Sequence, residues 1–222
     1  MAVLTRLGFP GDEKAWSTLG FAPQDGTVQI GRISCTLGIG AGWGFENAEP
    51  GLSRLGVPEV LGGTVAEDAE FSAGAFSAGA AVAHPNGVTF VDHIVYWVPD
   101  LDESVAAMNT ALGIEPRRRF RPRGPQGPEM AFYRVGEAFI EVVATGHGAA
   151  ALIGIAFGTP DLDATVAAVR AAGGPIGDPK PAVQGGRIAS VWHGHVDWGI
   201  AFLEPGPRTT EPQPAATPAG TR

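Results

Sequence analysis

The sequence has a single cysteine, Cys35, and no long hydrophobic run. One cysteine cannot form an internal disulfide bond, which favours a reducing compartment. No apolar segment approaches the ~20 residues that a membrane-spanning helix needs. The N-terminal residues include Asp12 and Glu13 and lack the continuous apolar stretch of a signal peptide. We therefore expect a cytoplasmic protein with no membrane partner.

Basic side chains are also scarce. The 222 residues include 15 Lys and Arg against 23 Asp and Glu, which gives a formal net charge of -8. Proteins that bind nucleic acid usually present a basic surface to the phosphates, so we expect no nucleic-acid partner. A hydrophobic fraction of 44% is typical of a globular protein with a buried core.

Glycine and proline are abundant, but they are unevenly distributed along the chain. Residues 62–87 are rich in Ala, Gly and Ser, which predicts a linker. Residues 207–222 are rich in Pro, Thr and Ala and contain little apolar surface to bury, which predicts a disordered tail.

The remaining sequence contains an internal repeat. The segment VDHIVYWVPDLD begins at Val91 and the segment LIGIAFGTPDLD begins at Leu152, an offset of 61 residues. Each is a β-rich run that ends in Pro-Asp-Leu-Asp and leads into a helical pattern. Asp102 and Asp163 stand at the expected N-caps of these helices, where a carboxylate accepts the first unpaired N–H groups.

Two strands follow each predicted helix. Residues 129–135 and 138–143 form one hairpin, and residues 187–197 and 200–203 form the other, so each unit reads β-α-β-β-β. One such unit leaves a sheet face open, and pairing two units would bury it. We predict an α+β fold of paired βαβββ modules, residues 88–147 and 150–206, which form a tandem domain over residues 88–206.

Residues 1–61 contain a weaker copy of the same pattern. A strand is followed by a short helix that begins at Asp12, and a hairpin over residues 28–37 comes next. Residues 39–45 then resemble the first strand of a fourth, truncated unit. Thr36 stands where Glu141 stands in the stronger copy, so no carboxylate is present there. We predict a degenerate additional module that supports the main sheet.

The run DHIVYWVPDLD, the helix after it and the terminal FIEVV resemble the vicinal-oxygen-chelate superfamily, which includes glyoxalase I, extradiol dioxygenases, and fosfomycin and bleomycin resistance proteins. The resemblance covers residues 88–206 well and residues 1–60 loosely. It implies paired βαβββ modules that enclose a small-molecule cleft. It does not fix the reaction, because this superfamily supports isomerisation, ring cleavage, epoxide opening and drug sequestration.

In the metal-dependent members of this superfamily, the ligands come from the first and last strands of each module. At these positions the sequence has His93 and Glu141 in one module, and Gly154 and Glu204 in the other. The resemblance therefore implies that His93, Glu141 and Glu204 bind a divalent Fe, Mn, Ni or Zn ion. Gly154 has no side chain to offer as a ligand.

His193 is a candidate for the missing ligand. A tight turn at Trp198 and Gly199 would place His193 directly opposite Glu204, on the same face of the last hairpin. His193 would then be either a metal ligand or a partner of Glu204. A slip of one residue in the hairpin register would turn it to the other face.

Residues 117–123 contain five of the 15 basic residues. They would either steer an anionic substrate towards the cleft or form an exposed edge strand whose charges prevent unwanted pairing. For the first alternative, strand alternation would direct Arg117 and Arg119 to the cleft.

Two functions are compatible with the resemblance, each for a monomer or a homodimer. One is a glyoxalase- or dioxygenase-like enzyme, a lyase, isomerase or dioxygenase, that acts on a small oxygen-bearing molecule. Its metal ion would be a Lewis acid, with Glu141 and Glu204 as catalytic carboxylates that supply the general base. The alternative is a metal-free protein that sequesters a small molecule, as bleomycin-resistance proteins do. Gly154 would then open space for a bulkier ligand.

Overall fold

The computed structural model describes residues 1–61, 82–183, 185–192 and 194–206. Most of the predicted linker and all of the predicted tail lie outside these residues, as does His193. None of the described helices is long and apolar enough to cross a bilayer.

The N-terminal region forms a small sheet with the strand order β2-β3-β1-β4. Strand β1 runs parallel to β3 and antiparallel to β4. A 3-10 helix follows β4 at Leu52–Leu55, and residues 58–60 then run parallel to β4. The elements of this region are β1 (Val3–Phe9), α1 (Glu13–Ser17), β2 (Thr27–Ile30), β3 (Ile33–Leu37) and β4 (Gly42–Glu46).

The rest of the chain consists of two βαβββ modules. The first contains β5 (Phe90–Val98), α2 (Leu101–Leu112), β6 (Arg118–Phe120), β7 (Met130–Val135) and β8 (Ala138–Ala144). The second contains β9 (Ala151–Gly158), α3 (Leu162–Ala171), β10 (Lys180–Pro181), β11 (Arg187–Ser190) and β12 (Gly199–Glu204).

Both modules share one eight-stranded sheet with the order β10-β11-β12-β9-β5-β8-β7-β6. Strands β5 and β9 pair antiparallel at its centre. On either side, each first strand is parallel to the last strand of its own module. This symmetry confirms the predicted fold class, paired βαβββ modules with an additional degenerate module. The boundaries of the predicted segments stay a prediction.

The helices begin two residues earlier than we predicted. Asp100 accepts a hydrogen bond from the Glu103 N–H at 2.8 Å, and Asp161 accepts one from the Ala164 N–H at 2.9 Å. The N-caps are therefore the first aspartates of the two Pro-Asp-Leu-Asp segments. Asp102 and Asp163 instead lie in the first helical turns, where a negative charge is favoured by the helix dipole.

The central strand pair contains two β-bulges related by the repeat. Between the pairs Val91–Phe157 and His93–Ala156, strand β5 has one extra residue, Asp92. Between the pairs Val95–Gly154 and Tyr96–Leu152, strand β9 has one extra residue, Ile153. Asp92 and Ile153 are 61 residues apart, so the repeat extends to this local irregularity. A bulge allows two consecutive side chains to share a face, which an ordinary strand forbids.

The N-terminal sheet repeats this geometry on a smaller scale. Strand β1 has its own extra residue, Thr5, opposite β4. Arg6 pairs with Ser34 as His93 pairs with Phe139. Two residues further along both strand pairs, Thr36 occupies the position of Glu141, as predicted. The parallel pairing of residues 58–60 with β4 matches that of β12 with β9.

One face of the eight-stranded sheet packs against α2, α3 and the N-terminal sheet in one hydrophobic core. Aromatic rings of the two sheets contact each other: the ring centres of Trp43 and Tyr96 are 5.1 Å apart, and those of Phe9 and Phe157 are 6.1 Å apart. The described end of the predicted linker also packs here. Asn86 is buried and donates a hydrogen bond to the Leu19 carbonyl, so this part of residues 62–87 is not a free connector.

Gly154 lies on β9 directly beside Gly199 of β12. A Cβ atom at this position would be 2.7 Å from the Gly199 carbonyl oxygen. The prediction that Gly154 opens space for a ligand is therefore wrong, because the adjacent backbone occupies that space. Glycine is required here so that the two backbones can approach each other.

We expect Gly154→Ala to lower the free energy of unfolding by about 1–3 kcal/mol, since the methyl group must displace the backbone of β12. Gly177→Ala is the matched control. Its Cβ would meet no atom closer than 3.6 Å, and we expect a change below about 1 kcal/mol. Chemical denaturation measures both variants. Equal stability of the two would contradict the tight contact at Gly154.

Candidate ligand-binding cleft

The other face of the eight-stranded sheet forms a cleft of about 1000 Å³. It is lined by alternate residues of the central strands, and their neighbours point into the core. On β5, for example, Val95 and Trp97 face the cleft, whereas Ile94 and Tyr96 are buried. We call this cavity the cleft.

Asp92, His93 and Glu141 form a polar cluster in the cleft. The bulge directs Asp92 and His93 to the same face of β5, and Glu141 projects from the neighbouring strand β8. His93 Nδ1 lies 2.7 Å from Asp92 Oδ2, and His93 Nε2 lies 3.7 Å from Glu141 Oε2. A carboxylate can only accept, so Nδ1 donates to Asp92 and Nε2 faces Glu141 and the cleft.

The cluster retains protons more strongly than isolated groups would. Burial lowers the pKa of His93, but the hydrogen bond to Asp92 and the negative charge of Glu141 outweigh it, so the pKa lies above its usual value. Burial raises the pKa of Glu141, and the positive charges of His93 and Arg123 oppose this increase only in part. Both shifts favour the protonated forms of His93 and Glu141.

The structure does not bring Glu204 into the cleft. Its Oε2 atom accepts a hydrogen bond from the Leu162 N–H at 2.9 Å, at the start of α3, and lies 3.5 Å from Arg187. Its neighbour Leu203 faces the cleft instead. Glu204 therefore acts on the helix side of the sheet, where a carboxylate stabilises a helix N-terminus.

The expected register of the last hairpin is wrong. Arg187, not His193, pairs with Glu204, and Ser190 pairs with Ala201. Eight residues, 191–198, connect β11 to β12, so the connection is not the tight turn that we predicted. His193 lies outside the described residues.

Strand pairing identifies the true equivalent of Glu141 in the second module. His93 pairs with Phe139 two residues before Glu141, and Gly154 pairs with Gly199 two residues before Ala201. Ala201, not Glu204, therefore corresponds to Glu141. The two first-strand positions are His93 and Gly154, as predicted.

The described residues do not fit the metal site of the superfamily. Of its four ligand positions, Gly154 and Ala201 supply no donor. No group of three His, Cys, Asp or Glu side chains among the described residues is arranged to hold a metal ion. His93 also uses Nδ1 for Asp92, which leaves one imidazole nitrogen and one carboxylate, fewer than the three protein ligands of typical catalytic zinc sites.

The second module contributes an apolar wall to the cleft. Ile153, Ile188 and Leu203 line this side, and Phe132, Phe139 and Val143 continue the apolar surface across the first module. Three cationic residues also line the cleft from the outer strands and a loop: Arg118, Arg123 and Lys180. We call these three residues the cationic rim.

Sequence reasoning missed several of these residues. Asp92 adjoins His93, and simple alternation would have placed the two on opposite faces. Arg118 faces the cleft instead of Arg117 or Arg119, and Arg119 binds Asp102 and Glu129. Register alone decides which arginine faces inward, and nothing in a run of arginines determines it.

The central part of the chain matches a known family. Residues 92–190, a little under half of the chain, match the model of the Glyoxalase/Bleomycin resistance protein/Dioxygenase superfamily. No curated protein sequence matches the chain.

Several solved structures are similar to about half of this chain. Methylmalonyl-CoA epimerase from Mycobacterium tuberculosis is 22% identical, over 55% of this chain and 91% of that one, with a TM-score of 0.47. A hypothetical protein from Bacillus halodurans C-125 is 19% identical, over 55% of this chain and 97% of that one, with a TM-score of 0.46. A variant of Streptomyces coelicolor methylmalonyl-CoA epimerase in complex with 2-nitronate-propionyl-CoA is 21% identical, over 53% and 95%, with a TM-score of 0.45.

We expect Asp92→Asn to lower the pKa of His93, because the amide keeps a hydrogen-bond acceptor but removes the negative charge. An NMR titration of the imidazole protons measures this pKa, and His93→Gln assigns the signal. Asp178→Asn, which removes a carboxylate bound to Arg170, is the control and should leave it unchanged. An unchanged pKa in Asp92→Asn would show that Asp92 does not hold the imidazole.

Proposed function

We propose that the cleft binds a small organic molecule directly, without a metal ion between protein and ligand. One observation carries this proposal: Gly154 and Ala201 stand at the positions equivalent to His93 and Glu141. The scaffold is duplicated, but the donor set is present in one module only. This function is the metal-free alternative that the resemblance implied.

The shape and lining of the cleft support ligand binding. Its volume of about 1000 Å³ lies at the upper end of the usual range for small-molecule sites, which are mainly apolar with a few convergent polar groups. The apolar wall and the cluster of Asp92, His93 and Glu141 supply these two components. The exposed ring of Trp97 at the cleft offers a further flat apolar surface.

Ser190→Trp tests whether the cleft is the binding site. Ser190 is exposed and lines the cleft, so an indole can enter it without displacing core residues. We expect this variant to bind Nile red, a neutral fluorescent probe, at least about tenfold more weakly than the unmodified protein, a loss of about 1.4 kcal/mol.

Ser53→Trp is the matched control, since Ser53 is also exposed and does not line the cleft. Fluorescence titration should give it the affinity of the unmodified protein. Undiminished binding by Ser190→Trp would place the binding site elsewhere.

Elemental analysis tests whether the protein contains a bound metal ion. We expect protein purified without chelator to contain much less than one Fe, Mn, Ni or Zn ion per chain. Adding these ions should not raise the melting temperature, because a ligand that binds the folded state would raise it. A stoichiometric ion that is lost in both His93→Ala and Glu141→Ala would refute the proposal.

A second candidate function is metal-independent acid–base catalysis. It is favoured by the adjacency of His93 Nε2 and Glu141 Oε2, 3.7 Å apart at the cleft, and by the hydrogen bond that fixes the imidazole on Asp92. Glu141, the predicted catalytic carboxylate, would then exchange a proton with a carbon next to a carbonyl group. Glu204 would take no part.

Deuterium incorporation distinguishes this candidate from simple binding. Small ketones and thioesters are incubated with the protein in D₂O, and NMR follows the signal of the acidic C–H. Catalysed exchange that is lost in Glu141→Gln would support the enzyme. Binding of a carbonyl compound without deuterium exchange would favour simple binding over catalysis.

A further inference from the structure

Several arginines that do not line the cleft form salt bridges: Arg119 with Asp102 and Glu129, Arg170 with Asp178, and Arg187 with Asp163 and Glu204. In the cationic rim, Arg123 and Lys180 form no salt bridge with any described residue.

The cationic rim comes from both ends of the sheet. Arg118 lies on β6 and Arg123 follows it in the next loop, whereas Lys180 lies on β10. Strands β6 and β10 are the opposite edges of the sheet, yet both line the same cleft. The sheet therefore curves so that positive charges from its two edges flank one cavity.

Two carboxylates also line the cleft, but both are engaged at its floor. Asp92 accepts the hydrogen bond from His93 Nδ1, and Glu141 lies beside His93 Nε2. Both carboxylates thus face the same imidazole, on the central strands. Among the described residues that line the cleft, Asp92 and Glu141 are the only carboxylates, and Glu141 also interacts with the positive charge of Arg123.

The rim is also aromatic. The guanidinium carbon of Arg118 lies 5.4 Å from the centre of the Phe120 ring and 5.6 Å from that of Phe132. The two rings are stacked with centres 5.3 Å apart. A planar cation over stacked rings continues the apolar wall and offers a flat surface next to a positive charge.

We propose that the cleft selects an amphipathic anion: a flat apolar body with one carboxylate or comparable acidic group. The acidic group would bind one of the rim cations, Arg123 or Lys180, and the body would contact Phe132, Ile188 and Leu203. This inference rests on the proposed metal-free binding function and assigns its ligand class. The net charge of -8 makes a local cationic rim the attractive feature for such a ligand.

Three matched probes test the selection: 2-naphthoate, 2-naphthamide and 2-naphthylmethylammonium. They share one ring system and differ in charge. Isothermal titration calorimetry should rank their affinities in that order, with naphthoate at least about tenfold tighter than naphthamide. The preference for naphthoate should decrease as salt is added, because exposed charges are screened.

The double variant Arg123→Met and Lys180→Met should remove this preference. We expect its affinity for naphthoate to fall about tenfold, with little change for naphthamide. The control variant, Arg121→Met and Arg170→Met, removes two cations that do not line the cleft and should behave like the unmodified protein.

The outcomes separate the two proposals. If all three probes bind with equal affinity and Ser190→Trp blocks them, the cleft is a binding site but the anion selection is refuted. If the double variant keeps the naphthoate preference, the rim is not its cause and the inference is also refuted. If no probe binds at all, the proposed binding function fails together with the inference.

Discussion

The antiparallel pairing of β5 with β9 is the interaction on which the rest of the structure depends. It joins the two modules into one sheet, and its two bulges set which side chains face the cleft. The bulge at Asp92 places an acceptor beside His93 on the same face. In a regular strand without the bulge, Asp92 would point to the core, where an unpaired carboxylate is costly to bury.

The same strand pairing explains why the cleft is asymmetric although its scaffold is duplicated. At the position of His93, the second module has Gly154, whose missing side chain leaves room for the Gly199 carbonyl. A histidine at this position would require β12 to move away from β9. At the position of Glu141 the second module has Ala201. Restoring four metal ligands would therefore require a rearranged backbone as well as two substitutions.

The fold was largely predictable because the repeat is visible in the sequence. The offset of 61 residues holds from the strands through the helices, and even for the residues of the two bulges. The alignment of Thr36 with Glu141 in the stronger copy was also correct. Each of these predictions depends on a long pattern, in which many residues must agree.

The candidate site was less predictable because it depends on strand register. Phe202-Leu203-Glu204 resembles Phe139-Ile140-Glu141, but the structural equivalent of Glu141 is Ala201, three residues before Glu204. An error of three residues reverses the face of the strand, since side chains alternate with a period of two. Phe202 is consequently buried in the core, whereas Phe139 lines the cleft. A match of three residues cannot reveal such an error.

The N-terminal copy uses the equivalent of the His93 position for a structural contact. Arg6 occupies the position of His93, and its guanidinium donates hydrogen bonds to the Val60 and Phe45 carbonyls. The Arg6 side chain therefore connects strand β4 to residues 58–60. In the tandem modules, the equivalent face of the sheet is open and forms the cleft.

The reduced size of this copy makes it a support for the larger sheet. Helix α1 has only five residues, and residues of α1, β1 and β4 contribute to the core that covers the eight-stranded sheet. Such a short helix buries little of its own sheet, so the N-terminal sheet completes its core against the tandem modules. The opposite face of those modules is then free of any structural role in joining the two sheets, and it is the face that forms the cleft.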